Sequence, residues 1–409
     1  MRPDVNITKE AGLGRRNPTL DMVSGIVFGS IAATGLALNT TSSELKSIVD
    51  VEALGITNAF DEANKILVWH HCDRFFKRNP SGSLFIRLVA QATTLTQSLD
   101  NALTHAKQLL VDAQGKVRWL GVVRNPISAY VPVLSGGLDG DVLTAIDKAQ
   151  ELYNAEFAAH RPLYGILVEG RQFNGTVAAA TDLRTKTDPN VGVVIAADLT
   201  ISLKVVAATT PYQYYAAIGD VLGLRSLAKV HENIGWVEKF PLTDDIRGLF
   251  ETAGLSSGLN IITYSADLSN LHDKGFIIPV FHTGLSGYFL NSDPTCVALS
   301  NDEAYMENGA TLAKAARVLR AAYLPKLNSP VPLTSTGTIE SVKIAAFERL
   351  GKDALDVMKR DGEISDLDVV IDPEQNFIEN DENLEVQFSI VPVGTARTIT
   401  GKLKLVSTL

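Results

Sequence analysis

The sequence predicts an α/β body with a mixed, mostly parallel sheet, followed by an α+β domain and flanked by extended β segments at both ends. Three observations carry this prediction. From about residue 25 to residue 280, apolar runs of strand length alternate with helical patterns of about ten to twenty residues, as in βαβ units. Near residue 290 this gives way to two long helical patterns joined by the Pro-rich link NSPVPLTSTG. Beyond them Leu384, Val386, Phe388 and Ile390 alternate with Glu385, Gln387 and Ser389, the period of two of a half-buried strand.

Taken in order, GIVFGSIA from Gly25 reads as the first strand. Asn58 is the expected cap of one helix, NAFDEANKILVWHHCDRFFKRNP, ending before Pro80. SLFIRLVAQ is a strand, SLDNALTHAKQLLVDAQG a helix closed by Gly115, and VRWLGVVRN a strand. DGDVLTAIDKAQELYNAEFAAH is a long amphipathic helix, LYGILVEG and VGVVIAAD are buried strands, and a helix follows around YYAAIGDVLGLRSLAKV. The alternation continues with DDIRGLFETAG as helix, LNIITYS as strand, a turn at HDKG and the strand FIIPVFH. After GYFLNSDPTCVALS come two helices, DEAYMENGATLAKAARVLRAAYLPKL and TIESVKIAAFERLGKDALDVMKRDG. Val342, Ala346, Leu350 and Ala354 put an apolar stripe on the second. DLDVVID is a strand, and past Pro392-Val393-Gly394 a second alternation sets Ile399, Leu403 and Leu405 against Thr398, Thr400, Lys402 and Lys404. The chain so divides into residues 1–20, 21–290, 291–385 and 386–409.

With 409 residues, 45% hydrophobic and 20% charged, the chain has the composition of a folded protein with a sizeable core. Cys72 and Cys296 cannot make a disulfide framework, so a reducing, intracellular setting is expected. The start MRPDVNITKE is too polar for a secretory signal, and GIVFGSIAATGLAL is too short to span a bilayer. A net charge of −9 argues against general nucleic-acid binding. That charge is uneven: ten acids and no base lie between Asp361 and Glu385, and three bases with no acid (Arg397, Lys402, Lys404) follow Val386. Arg2, Lys9, Arg15 and Arg16 make the other end basic as well. These are either solvated faces or basic terminal strands that dock on an acidic body.

No stretch carries recognisable chemistry. His70-His71-Cys72-Asp73 has ligand-type side chains, but neighbours on a helix point about 100° apart and cannot converge on one metal. Gly254-Leu255-Ser256-Ser257-Gly258 fits G-x-S-x-G, yet a helix is expected before it and a strand after it, the reverse of a nucleophile elbow. Gly12-Leu13-Gly14 follows no strand, and no phosphate-binding loop is present. The expectation is no catalytic residue, no metal and no cofactor.

Three stretches together resemble the sheath protein of contractile phage tails and related injection systems. They are PDVNITKEAGLGRRNPTLDMVSGIVFG near the start, the helix containing VLRAAYLPKLNSPV, and the end, DLDVVIDPEQN followed by LEVQFSIVPVGTARTITGKLKL. The last is the most specific, a strand, an IVPVG corner and another strand. The resemblance covers about the last 120 residues well and the first 30 loosely; the middle matches only in size and class.

What the resemblance implies is a structural role. Hexameric rings stacked helically surround an inner tube, between baseplate and tail terminator proteins, with assembly in the bacterial cytoplasm and neither membrane nor nucleic acid involved. Residues 291–385 become an inner domain near the tube and 21–290 an outer body, whose first strand belongs in part to the inner domain. Residues 1–20 and 386–409 become linking arms that add strands to neighbouring subunits. Their apolar residues Val5, Ile7, Val386, Phe388, Ile390, Ile399, Leu403 and Leu405 are the expected contacts, and Lys343, Arg349, Lys352, Lys359 and Arg360 the candidate tube-facing bases. The alternative is an α/β enzyme or ligand-binding protein whose terminal strands close its own sheet.

Overall fold

The computed structural model describes residues 20–204, 214–380 and 382–405. The first strand, β1 (Val23–Ser30), is buried along its whole length, as eight nearly continuous small and apolar residues dictate for a strand covered on both faces. Parallel to it runs β2 (Ser83–Ala90), in register from Val23 opposite Ser83 to Ser30 opposite Ala90. β3 (Trp119–Val123), β4 (Gly165–Glu169), β5 (Val191–Val194) and β6 (Phe276–Ile277) extend the sheet on the other side of β1. The order is β2-β1-β3-β4-β5-β6, and every pairing is parallel. Antiparallel pairing occurs in small sheets outside this one, such as 196–198 with 253–255.

Alternation along β1 splits the core in two. Ile26 and Phe28 face one layer, built on helices α1 (Val68–Arg78) and, further along the chain, residues 218–227. Val23 and Val27 face the other, with α2 (Ala106–Asp112) and α3 (Gly140–Ala158). On the first layer α1 lies against α4 (Ile218–Leu227) with almost no space between their backbones. A Cβ at Gly219 would stand 2.2 Å from the His71 carbonyl oxygen, and one at Gly223 3.0 Å from that of Phe75. Two glycines one helical turn apart allow this approach.

Several helices and strands differ from the sequence expectation, each for a local reason. The run Asn58–Pro80 is two helices. Thr57, not Asn58, caps the first, which ends at Asn64 with Lys65 left-handed. The Asp61 carboxylate then accepts from the Val68, Trp69 and His70 amides and starts α1. The helix expected over Ser98–Gly115 is also broken: a capping box at Thr94 starts a short turn of helix over Leu95–Leu99, extended backbone at Asp100 ends it, and α2 begins only at Ala106. Asp244–Gly254 is not a helix, because Gly248 and Phe250 both take positive φ and the Asp198 carboxylate accepts from the Phe250 amide. Residues 261–264, expected as strand, form a 3-10 turn opened by the Asn260 side chain.

The second unit is built on α5 (Met306–Tyr323) and α6 (Ser341–Arg360). Helix α5 is shared: Met306, Ala310 and Ala313 join the core of the body, while Ala315 and Leu319 belong to the small core of the second unit. The buried stripe of α6 is Ile344, Phe347, Gly351, Leu355 and Met358. This corrects the expected stripe, since Val342 is exposed; the i, i+3, i+7 set one or two positions on carries the larger side chains. The unit is completed by a hairpin-like pair, β7 (Ile364–Val370) and β8 (Gln387–Pro392).

Candidate assembly interface

Strands β7 and β8 run antiparallel from Ile364 opposite Pro392 to Val370 opposite Gln387, with an irregularity between Ile364 and Asp366. Two strands alone are marginal in water. Here Val369 is fully buried, and Leu367, Val386 and Ile390 pack with it against Leu355 and Met358 of α6. Gly351 makes that packing close, since a Cβ there would lie 3.1 Å from both Phe388 and Val369 side-chain atoms. Among the described residues the sheet has only these two strands, so each has an edge without a partner strand. Beside it opens an apolar groove of about 1480 Å³, lined by Phe157, Leu319, Tyr323, Val331, Phe388 and Ile390 among others.

Residues 386–405, within the expected C-terminal arm of 386–409, lie in two different surroundings. Val386 and Ile390 pack against this chain's own cores, and Phe388 and Ile390 lie in β8 with Phe388 40% exposed, because β7 supplies backbone partners and α6 an apolar surface within the same subunit. Past Pro392 the described residues form no strand. Ile399, Leu403 and Leu405 are 89, 99 and 97% exposed. Val5 and Ile7 lie outside the described residues.

The five bases of α6 are not a uniform positive face. Arg349 pairs with Asp353 at 3.6 Å, Lys352 with Asp368 at 3.4 Å and Lys359 with Asp366 at 2.7 Å. Lys343 lies over the Phe347 ring, and Arg360 donates to the Asp356 carbonyl. Acids on α6 itself and on β7 thus offset the bases that sequence reading singled out.

Two charged clusters on α5 were not legible as sites. Near its middle, Lys314 Nζ lies 2.7 Å from Asp21, at the root of β1, and 2.6 Å from Glu363, in the turn after α6. Arg317 reaches Asp21 at 2.7 Å and the Tyr164 hydroxyl. Burial works to raise Asp21, but hydrogen bonds from Lys314 and Tyr164 outweigh it and hold its carboxyl below the usual range. Near the start of α5, Glu307 meets Asn233 and, from the tail, Arg397. The one available signal was that Arg397 is the only base between Val386 and Gly401.

Elsewhere the structure uses polar groups internally. In a sheet of this order the ligand crevice falls where β1 and β3 diverge at their carboxyl ends. That place is filled: Asn125 Nδ2 donates to the Gly29 carbonyl at 2.9 Å, and its Oδ1 accepts from Leu67 N at 3.0 Å. His71 is fully buried, its Nδ1 accepting from Gly219 N at 3.1 Å. Burial, with Arg171 and Arg74 nearby, lowers its pKa to about 3. Ser256 follows a strand, Ala253–Leu255, rather than the expected helix, but its buried hydroxyl donates to the Gly170 carbonyl.

Sequence models of one family cover almost the whole chain, the N-terminal domain of DUF2586 over residues 2–293 and its C-terminal domain over 302–409. The chain belongs to the DUF2586 family. No curated protein matches it. Among solved structures, this DUF2586 protein is similar to a chain of the anti-feeding prophage baseplate, with TM-score 0.60 and 12% identity over 99% of each chain. It is similar to the sheath complex of an extracellular contractile injection system (PVC) in its contracted state, with TM-score 0.59 and 11% identity over 100% of this chain and 98% of that one. The sheath tail protein of Listeria innocua gives TM-score 0.51 and 12% identity over 91 and 92%. At such identities the likeness establishes a shared fold, that of sheath proteins.

Proposed function

We propose that this protein is a structural subunit of a contractile sheath, forming hexameric rings stacked around an inner tube. The observation that carries this reading is the change in exposure along the tail: Val386 and Ile390 are packed in the subunit, while Ile399, Leu403 and Leu405 stand almost fully in solvent on a segment with no partner strand among the described residues. A large apolar side chain at every second or fourth position of a free segment is an aggregation hazard unless another molecule covers it. Likeness in fold to sheath proteins over nearly the whole chain supports the same reading.

In this mechanism Ile399, Leu403 and Leu405 of one copy, and Val5 and Ile7 from the other end, add strands to the β7–β8 pair of neighbouring copies. Many such links act together through high local concentration. Assembly on the tube, started at a baseplate and closed by a terminator, holds the lattice in an extended state of higher energy. Contraction to a lattice with more contacts drives the tube through a target envelope, with no cofactor and no catalytic step. Helix α6 faces the tube with a mixed-charge surface in which Lys343, Arg349, Lys352, Lys359 and Arg360 are half of the pattern. Subunits assemble in the bacterial cytoplasm.

Deleting Thr398–Leu409 tests this. The truncated protein should keep its helical content and thermal transition, because the described side chains among those deleted, Thr398 to Leu405, belong to none of the hydrophobic cores. In negative-stain micrographs it should no longer form the rings or tubes that the full-length protein forms. Tubes of normal length from the truncated chain, or only small uniform particles from the full-length one, would overturn the proposal.

A further inference from the structure

The first residues of the tail are not free. Arg397 lays its guanidinium 3.3 Å from the centroid of the Tyr305 ring, pairs with Glu307 and donates from Nη1 to Ser292 Oγ at 3.3 Å. Two residues earlier, Thr395 brings its hydroxyl within 3.5 Å of the same carboxylate. The receiving pocket is deeply set. The Glu307 side chain is 2% exposed, and behind it the fully buried Asp293 pairs with the fully buried Arg225 at 2.7 Å. Asn233 Nδ2 joins the two carboxylates, 2.6 Å from Asp293 and 3.1 Å from Glu307.

Two carboxylates held this close and out of water repel one another, and burial together with the Glu307 charge pushes Asp293 well above the usual carboxyl range. Arg225 meets Asp293, and among the described residues the cation within ion-pair distance of the Glu307 carboxylate is Arg397. A guanidinium is the side chain that fits, because it can lie flat on an aromatic face and offer a fork of donors to the carboxylate at once.

The opposite end of the described chain is tied to the same helix. Asp21 enters β1 against Lys314 and Arg317, and Lys314 lies seven residues, about 10 Å, along α5 from Glu307. Helix α5 is also the element whose two halves belong to the two cores.

We propose that Arg397 is a positioning residue that latches the root of the tail onto α5. The segment free to reach a neighbour then begins at Thr398, and a pull on it is delivered to the helix that also holds the root of β1. The pocket itself stands on geometry, while the direction of pull rests on the sheath reading.

Trypsin reports the latch directly, since the protease must take the arginine side chain into its own pocket. In unassembled full-length protein, cleavage after Lys402 and Lys404, beyond the latch, should be fast and cleavage after Arg397 slow. Glu307→Gln removes the charge that Arg397 meets, and Tyr305→Leu removes the ring. Either change should raise the rate after Arg397 relative to that after Lys402 by about tenfold or more, read by mass spectrometry of the truncated chains. Equal rates at the two sites in the unaltered protein, or a ratio that neither substitution moves, would overturn the latch. Micrographs of the same unaltered protein read the sheath proposal separately. Protected Arg397 without tubes would leave the latch standing and sink the sheath, and tubes with unprotected Arg397 the reverse.

Discussion

Replacing Gly219 by Ala puts one methyl group where α4 meets α1 most closely. Its Cβ would stand 2.2 Å from the His71 carbonyl oxygen and 2.7 and 2.8 Å from its Cα and carbonyl carbon. All three are backbone atoms, so no side chain can swing aside. Ordinary contact distance requires the two helices to part by roughly 1 Å across a close-packed layer. The hydrogen bond from Gly219 N to His71 Nδ1, already 3.1 Å, lengthens with them. Overpacking of this kind costs about 1–3 kcal/mol and a weakened buried hydrogen bond about 1 kcal/mol more. Alanine's better helix propensity returns up to about 1 kcal/mol. The expected net loss is about 1–3 kcal/mol, measured as a lowered urea midpoint followed by tryptophan fluorescence at neutral pH. Gly394→Ala is the control, since nothing lies within 4 Å of a Cβ there and its midpoint should not move. A Gly219→Ala midpoint equal to or above that of the unaltered protein would refute the close-packed account of this helix pair.

Two further outcomes follow from buried charge. His71 is held neutral in the fold, with its pKa lowered to about 3, so its contribution is whole above the ordinary histidine range and is lost as pH falls from about 6.5 toward 3. By pH 4 that loss should reach roughly 3 kcal/mol; the difference in urea stability between pH 7 and pH 4 should shrink by about that much in His71→Asn, and equal pH dependence in the two proteins would contradict it. Lys314→Met leaves the Glu363 carboxylate, whose side chain is 6% exposed, without its 2.6 Å partner, and separates it from Asp21. A loss of about 1–3 kcal/mol is expected from the unpaired buried charge; an unchanged thermal transition would mean that this contact does not join the body to the second unit.

The parts of this fold that were legible in the sequence are those in which periodicity meets burial directly. GIVFGS, LFIRLVA and WLGVV are apolar runs without alternation, and they became parallel strands of the main sheet, buried on both faces. The long helices α3, α5 and α6 were equally plain. Where the reading failed, a single side chain overrode the local pattern. Asp61 restarts a helix inside what looks like one continuous run, because a carboxylate that accepts three backbone amides is worth more than continuity. Gly248 and Phe250 at positive φ break a stretch with good helical spacing, held by Asp198 some fifty residues earlier.

The tail shows the same division. Sequence alone determined that residues 386–405 contain two amphipathic alternations separated by Pro392-Val393-Gly394. Only the tertiary structure decided that they differ: the first has β7 beside it and α6 beneath it, and the second has neither among the described residues. Which strand pairs, and with what, depends on backbone groups brought together from far along the chain, and that information is absent from any local period. The Arg397 pocket is harder still to foresee, since Ser292, Asp293, Tyr305 and Glu307 acquire meaning for Arg397 only after about ninety intervening residues have folded them into one place.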